Sequence, residues 1–183
     1  MRRARRVIFS GAPGAGKTTL LNTLAARGYH VVEESARAII RDRLGRDLPP
    51  RPAPRQFAAD VMRRDIENYH KQLAKPDWIF FDRAIPDGMC MLDQAAPLGR
   101  RKIEALAERF VYHRQVFMFP PWAAIYCNDT ERDQSFADAT GVFRMLGDWY
   151  RQCGYEVVDM PLESVDERCD RVLKTLGFGR TRI

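Results

Sequence analysis

Apolar residues fall along the chain in short continuous runs separated by stretches of helical spacing, the alternation that builds a parallel sheet covered by helices. Arg6-Val7-Ile8-Phe9-Ser10 is an apolar run that stops at glycine and reads as a buried strand. Leu20, Leu21 and Leu24 then recur at helical spacing from Lys17 to Arg27, with Gly28 where a helix would end. His30-Val31-Val32-Glu33 reads as a second strand, and Ser35 to Leu44 as a helix with Ala36, Ile39, Ile40 and Leu44 on one face. Pro49, Pro50, Pro52 and Pro54 make the next segment a loop, because proline lacks the amide proton and its ring blocks the preceding turn.

Gln56 to Leu73 resumes a helical pattern, closed by Pro76 ahead of Trp78-Ile79-Phe80-Phe81, the most hydrophobic strand of the chain, with Asp82 at its end. The stretch from Pro86 to Pro97 carries no decisive period. Arg101 to Val111 is expected as a helix and Gln115-Val116-Phe117-Met118-Phe119 as a fourth strand stopped by Pro120-Pro121. Thr130-Glu131-Arg132-Asp133 fits the start signal of a helix reaching about Gln152, with Phe136, Thr140, Phe143, Leu146, Tyr150 and Cys153 as its stripe. Tyr155 to Asp159 supplies a fifth strand and Val165 to Leu176 a closing helix. The expected fold class is therefore α/β, a five-stranded parallel sheet with helices on both faces.

The 183 residues, 45% of them hydrophobic, suit one domain of this kind, expected to span 1–183. Cys90, Cys127, Cys153 and Cys169 are scattered and indicate neither a zinc site nor a disulfide framework. No run approaches the roughly 20 apolar residues of a membrane span, and no signal-type segment precedes the first strand, so the expectation is a soluble cytoplasmic protein with no membrane partner. Net charge is +6, but four of the positive charges are Arg2, Arg3, Arg5 and Arg6, in the basic N-terminal end at 1–5 and just beyond it. Arg41, Arg43, Arg46, Arg51 and Arg55 lack the interleaved aromatics of a base-stacking surface, so a nucleic-acid partner is not indicated.

Gly11-Ala12-Pro13-Gly14-Ala15-Gly16-Lys17-Thr18 matches G-x-x-x-x-G-K-[ST] at every fixed position, after an apolar strand and at the start of a helix. Glycines let the backbone curl so that successive amides point into one concavity and, with the helix N-terminus, hold phosphate oxygens. On this reading Gly11 to Thr18, with Thr19, bind a nucleoside triphosphate, ATP or alternatively GTP. Lys17 reaches the β and γ phosphates, and Thr18 offers its hydroxyl to Mg²⁺. Asp82 is the expected carboxylate for that ion, because it ends an apolar strand in the same sheet. Glu33 and Glu34 end the second strand at the same sheet edge, and one of them is the expected proton acceptor. Arg132 is the expected lid arginine over the transferring phosphoryl group, ahead of Arg37, Arg83 and Arg144. Trp122 and Tyr126 either pack on a ring of the ligand or anchor the loop.

Together the blocks Phe9-Ser10-Gly11 through Leu20, Val31 to Arg37, Phe81 to Asp87, and Pro120-Pro121-Trp122 followed by Ile125-Tyr126, Asp129, Glu131-Arg132 and Gln134 resemble a known group. It comprises the AAA-type P-loop ATP/GTP-binding proteins related to the ribosylnicotinamide kinase domain, in the P-loop kinase-like division. The resemblance implies a three-layer P-loop NTPase fold with strand order 2-3-1-4-5 and a lid at 120–135. It also implies Glu34, Arg37 and Arg83 near an acceptor, Asp82 near Mg²⁺, and Arg132 on the lid. The leading expectation is a small-molecule kinase passing the ATP γ-phosphoryl group to a nucleoside-like or nucleotide-like acceptor. The alternatives are an NTP-hydrolysing switch acting on a protein partner and, more weakly, a nucleic-acid end kinase. The guanine-reading N/T-K-x-D motif is absent, since Cys127-Asn128-Asp129 lacks its lysine.

Overall fold

The computed structural model describes residues 5–75, 77–126 and 135–178. Its strands are β1 (Arg6–Gly11), β2 (His30–Val32), β3 (Ile79–Asp82), β4 (Gln115–Phe119) and β5 (Glu156–Asp159), and its helices are α1 (Lys17–Ala26), α2 (Ser35–Leu44), α3 (Pro54–Lys71), α4 (Ile85–Ala95), α5 (Arg100–Arg109), α6 (Phe136–Gln152) and α7 (Val165–Thr175). All strand pairings are parallel, in the order β2-β3-β1-β4-β5. This is the three-layer P-loop fold; the sequence pattern predicts its five parallel strands and the family resemblance implies their order.

Alternation along the buried strands divides the core in two. Val7, Phe9, Phe80, Phe117 and Phe119 face α1 and α7, where Leu20, Leu21, Leu24, Cys169 and Val172 meet them. Ile8, Ile79, Phe81, Val116 and Met118 face the other way, onto Met62 and Tyr69 of α3, Met89 of α4 and Leu146, Trp149 and Tyr150 of α6. Phe9 lies at the centre of the first layer, with ring centroids 5.6, 5.7 and 5.3 Å from Phe80, Phe117 and Phe119.

Four points of the sequence reading are filled in or corrected. The unassigned stretch after Pro86 is α4, begun by proline in its first turn, where the missing N–H costs nothing, and by the carboxylate of Asp87 accepting from Ala84 N–H at 3.0 Å. Among the described residues α6 begins at Phe136; Thr130, its expected start, lies outside them. Its cap is Ser135, whose hydroxyl accepts from Asp138 N–H at 3.1 Å, while the Asp138 carboxylate accepts from Ser135 N–H at 3.0 Å. The predicted stripe of α6 is also rotated, because Phe136 is exposed while Ala139, Leu146, Gly147, Trp149 and Tyr150 are buried. Pro54, read as loop, is the first residue of α3 for the same reason that Pro86 suits α4.

Candidate functional site

β1 delivers the chain to the edge where the strands end, and Gly11 makes the turn possible. Its φ is 118°, and a Cβ there would sit 2.4 Å from the carbonyl oxygen of Phe119 on neighbouring β4. The next residue donates its N–H to that same oxygen at 2.9 Å, so strand β4 anchors the loop. Gly14 and Gly16 also take positive φ, 74° and 80°. Gly16 is the N-cap of α1 and supplies no side-chain acceptor, so the first turn of α1 keeps its amides uncapped by side chains.

Residues Pro13 to Thr19 line one wall of a cavity of about 690 Å³. Gly11 and Ala12 lie behind it, buried. Lys17 is buried, and its ammonium donates to the Ala12 carbonyl at 2.7 Å. Desolvation first, then the Arg83 charge, pull its pKa down to about 8. The Thr18 hydroxyl donates to Asp82 Oδ2 at 2.7 Å. Asp82 Oδ1 is buried without a hydrogen-bond partner, and burial, followed by the Glu34 carboxylate, raises its pKa. A hydroxyl and a carboxylate carrying one spare oxygen, next to a phosphate-binding loop, are the hard oxygen donors that Mg²⁺ takes together with phosphates and water. Among the described residues no group of three or more His, Cys, Asp or Glu is arranged to hold a metal by itself.

The two glutamates at the end of β2 have different surroundings. Glu33 is exposed and pairs with Arg41 at 3.1 Å. Glu34 lines the cavity and is mostly buried between two arginines, with Oε1 accepting from Arg83 Nε at 3.2 Å and Oε2 lying 3.4 Å from Arg37 Nε. Arg83 also donates Nη1 to Asp87 at 3.0 Å and Nη2 to the Gly11 carbonyl at 2.8 Å. Its burial alone would lower its pKa, but the Glu34, Asp87 and Asp82 carboxylates outweigh that and raise it. Its backbone is left-handed, φ 63°, a conformation costly for a residue with a Cβ, and its N–H bond to Phe9 O at 2.8 Å holds it there.

Asp87, which the sequence does not single out as a site residue, organises this corner. It accepts from Ser10 Oγ and Tyr150 Oη at 2.5 Å each, besides Arg83 and Ala84 N–H, and so ties β1, α4 and α6 to the arginine that holds Glu34. Arg168 of α7 is likewise unanticipated. It lines the cavity beside the loop, donates to the Ala15 carbonyl at 3.3 Å, and sits 5.3 Å from the centre of the Trp122 ring. Trp122 and Ile125 close that side of the cavity. Arg132, expected on the lid, lies outside the described residues, as does the rest of 127–134 within the lid predicted at 120–135. Arg144, on α6, is exposed.

A G-x-x-x-x-G-K-T loop at the end of β1 in a parallel 2-3-1-4-5 sheet, opening onto a cavity with a largely covered glutamate and arginine, is the P-loop fold in its kinase-like form. The chain belongs to the AAA domain family, whose model matches residues 6–168. No curated protein sequence matches it. Solved structures share its fold at low identity. Deoxyadenosine kinase from M. mycoides with bound products, dCMP and dCDP, is 11% identical at a TM-score of 0.65, covering 93% of this chain and 98% of that one. YorR protein from Bacillus subtilis, in complex with phosphorylated GDP, is 10% identical with a TM-score of 0.60 over 93% and 95%. Thymidylate kinase from Ehrlichia chaffeensis is 16% identical at 0.58 over 93% and 97%.

Proposed function

We propose that this chain is a Mg²⁺-dependent kinase that moves the γ-phosphoryl group of ATP, with GTP as the alternative donor, to a nucleoside-like or nucleotide-like acceptor. The observation that carries the reading is a single cavity with the phosphate loop on one wall and Glu34, Arg37 and Arg83 on another. A bare hydrolase has no use for so large a second compartment beside its loop. The fold neighbours include kinases of nucleosides and nucleotides, and the cavity volume is that of small-molecule sites.

In this mechanism the amides of Gly14 to Thr18 hold the phosphate oxygens, and Lys17 leaves the Ala12 carbonyl to meet the β and γ phosphates. Thr18 and Asp82 would hold Mg²⁺, which supplies charge neutralisation of the phosphate oxygens when bound. Glu34, kept in place by Arg83 and Arg37, accepts the proton of the acceptor hydroxyl. The acceptor oxygen forms its bond to the γ phosphorus as the bond to the bridging oxygen breaks, and the nucleoside diphosphate leaves. Arg132 would add positive charge over the phosphoryl oxygens from the lid. The whole chain, 1–183, acts as one nucleotide-binding domain, and the free thiols of Cys90, Cys153 and Cys169 suit a reducing cytoplasm.

The test is acceptor-dependent release of ADP from ATP and Mg²⁺ across a panel of nucleosides and nucleotides. Lys17→Ala should abolish turnover. Glu34→Gln should lower kcat by about 100-fold or more with nucleotide affinity retained. Tight nucleotide binding with no stimulation by any acceptor would sink the reading, and a fully active Glu34→Gln would remove Glu34 as the base.

A further inference from the structure

Beyond Glu34 and the arginines, the cavity wall holds further carboxylates, and one of them is buried with an unpaired oxygen that the mechanism does not use. Asp65, near the middle of α3, is only 7% exposed and lines the cavity. The Ser35 hydroxyl of α2 donates to it, and Ser35 Oγ in turn accepts from Asn68 Nδ2 at 3.3 Å. That pair fixes the carboxyl group, yet Oδ2 has no hydrogen-bond partner. Gly88 of α4 faces the same oxygen, and a Cβ there would stand 3.4 Å from Oδ2. Around it the wall is apolar, with Phe57, Val61, Met91, Val142 and Leu146 lining the same cavity. A buried acceptor without a partner, on a residue that lines an apolar pocket, is costly to the fold and is satisfied once a ligand's donor reaches it.

We propose that Asp65 selects the acceptor of the kinase reading above, on which this inference rests: Oδ2 receives a hydrogen bond from an exocyclic amino group, so the acceptor carries an aminated base rather than its keto counterpart. An ionised carboxylate accepts hydrogen bonds and cannot donate, so a keto oxygen in the same place faces it with lone pairs on both sides. A site that leaves a buried polar group unpaired rejects the wrong ligand far more strongly than one that loses a methylene contact.

The charged and titratable groups around Asp65 set how this selection varies with pH. Burial pushes its pKa up to about 7, the Asp87 and Glu34 carboxylates add to that, and the Ser35 hydrogen bond and Arg83 oppose it. Arg37 and Cys90 line the same cavity, and the hydroxyl of Tyr112, in the segment before β4, has its pKa raised by burial and then by the Asp65 charge. Above about pH 7 Asp65 accepts only. Below it the carboxyl becomes protonated, can donate to a keto oxygen, and loses its selectivity.

The experiment compares cytidine with uridine and adenosine with inosine, pairs that exchange an amino for a keto group and, with it, an accepting ring nitrogen for an N–H. Calorimetry without donor reads binding, and ADP release with ATP and Mg²⁺ reads turnover, each at pH 8 and pH 6, for the wild type and Asp65→Asn. The wild type should prefer the amino member of at least one pair by roughly 10-fold or more at pH 8, with the gap narrowing at pH 6. Asp65→Asn should lose the preference and its pH dependence while keeping its affinity for ATP. The wild-type comparison stands even if that variant fails to fold. Equal binding of both members of each pair, binding of neither pair, or a preference retained by Asp65→Asn overturns the assignment. Turnover without amino preference removes only the role of Asp65; amino-selective binding without any ADP release supports that role and removes the kinase.

Discussion

At the residue scale the most informative group is Lys17, an ammonium buried at the start of α1 whose hydrogen bond among the described residues is to the Ala12 carbonyl. With its pKa lowered to about 8, it sheds its proton more easily than an ordinary lysine until a phosphate returns the favourable charge. Nucleotide binding should therefore take up a proton near pH 8 to 9, and affinity should fall as pH rises further. Calorimetry in two buffers of different ionisation enthalpy checks this: the apparent binding heat should differ between buffers in the wild type and coincide in Lys17→Ala. The loop itself was legible in the sequence because its chemistry needs a fixed spacing. The residue pattern did not separate Glu33 from Glu34, since both end the same strand; the resemblance pointed to Glu34, and the side-chain partners, Arg41 for one and Arg83 for the other, tell them apart. Asp65 and Arg168 could not be read at all. Asp65 meets Ser35, 30 positions before it, and Arg168 meets the Ala15 carbonyl, 153 positions away.

At the scale of elements, strands with continuous apolar runs and helices with a clear stripe were legible to within a residue or two. α4 was not, because its buried face is made of Ile85, Pro86, Asp87, Gly88, Met89 and Cys90 in unbroken succession, a packing dictated by α3 above all and by α6 rather than by period. The cap of α6 is Ser135, and Thr130 satisfies the same capping pattern, so local sequence does not rank the two. With Ser135 as the cap, Ser135→Ala should cost about 1 kcal/mol and lower Tm by roughly 3 °C, read by thermal melting. Gly11 acts at this scale too, since it joins β1 to the loop against the backbone of β4. Gly11→Ala places a methyl group 2.4 Å from Phe119 O at φ 118° and should destabilise by about 2 kcal/mol or more, with nucleotide binding lost even where the chain still folds.

For the whole molecule, the buried carboxyl of Asp65 links the site to stability. Its pKa is about 7 in the folded chain against 3.8 in the ordinary state, so between those values the native form holds a proton that the unfolded form has released. Stability contributed by this group is present below about pH 4, declines as pH rises toward 7, and is gone above it. Asp82, raised in the same direction, adds to the slope, so the wild-type curve alone does not isolate either group. The difference between the wild type and Asp65→Asn does. That variant keeps a polar side chain of the same shape but cannot ionise, so its Tm relative to the wild type should rise by roughly 3 °C or more between pH 5 and pH 8, on a conversion of about 1 kcal/mol per 3 °C at this size. A constant difference across that range would mean that Asp65 is not held in the apolar wall in solution. A ligand that pairs with Oδ2 should flatten the wild-type slope, because the partner offsets the cost of burying the charge, and this ties the stability curve to the chemistry of the cavity.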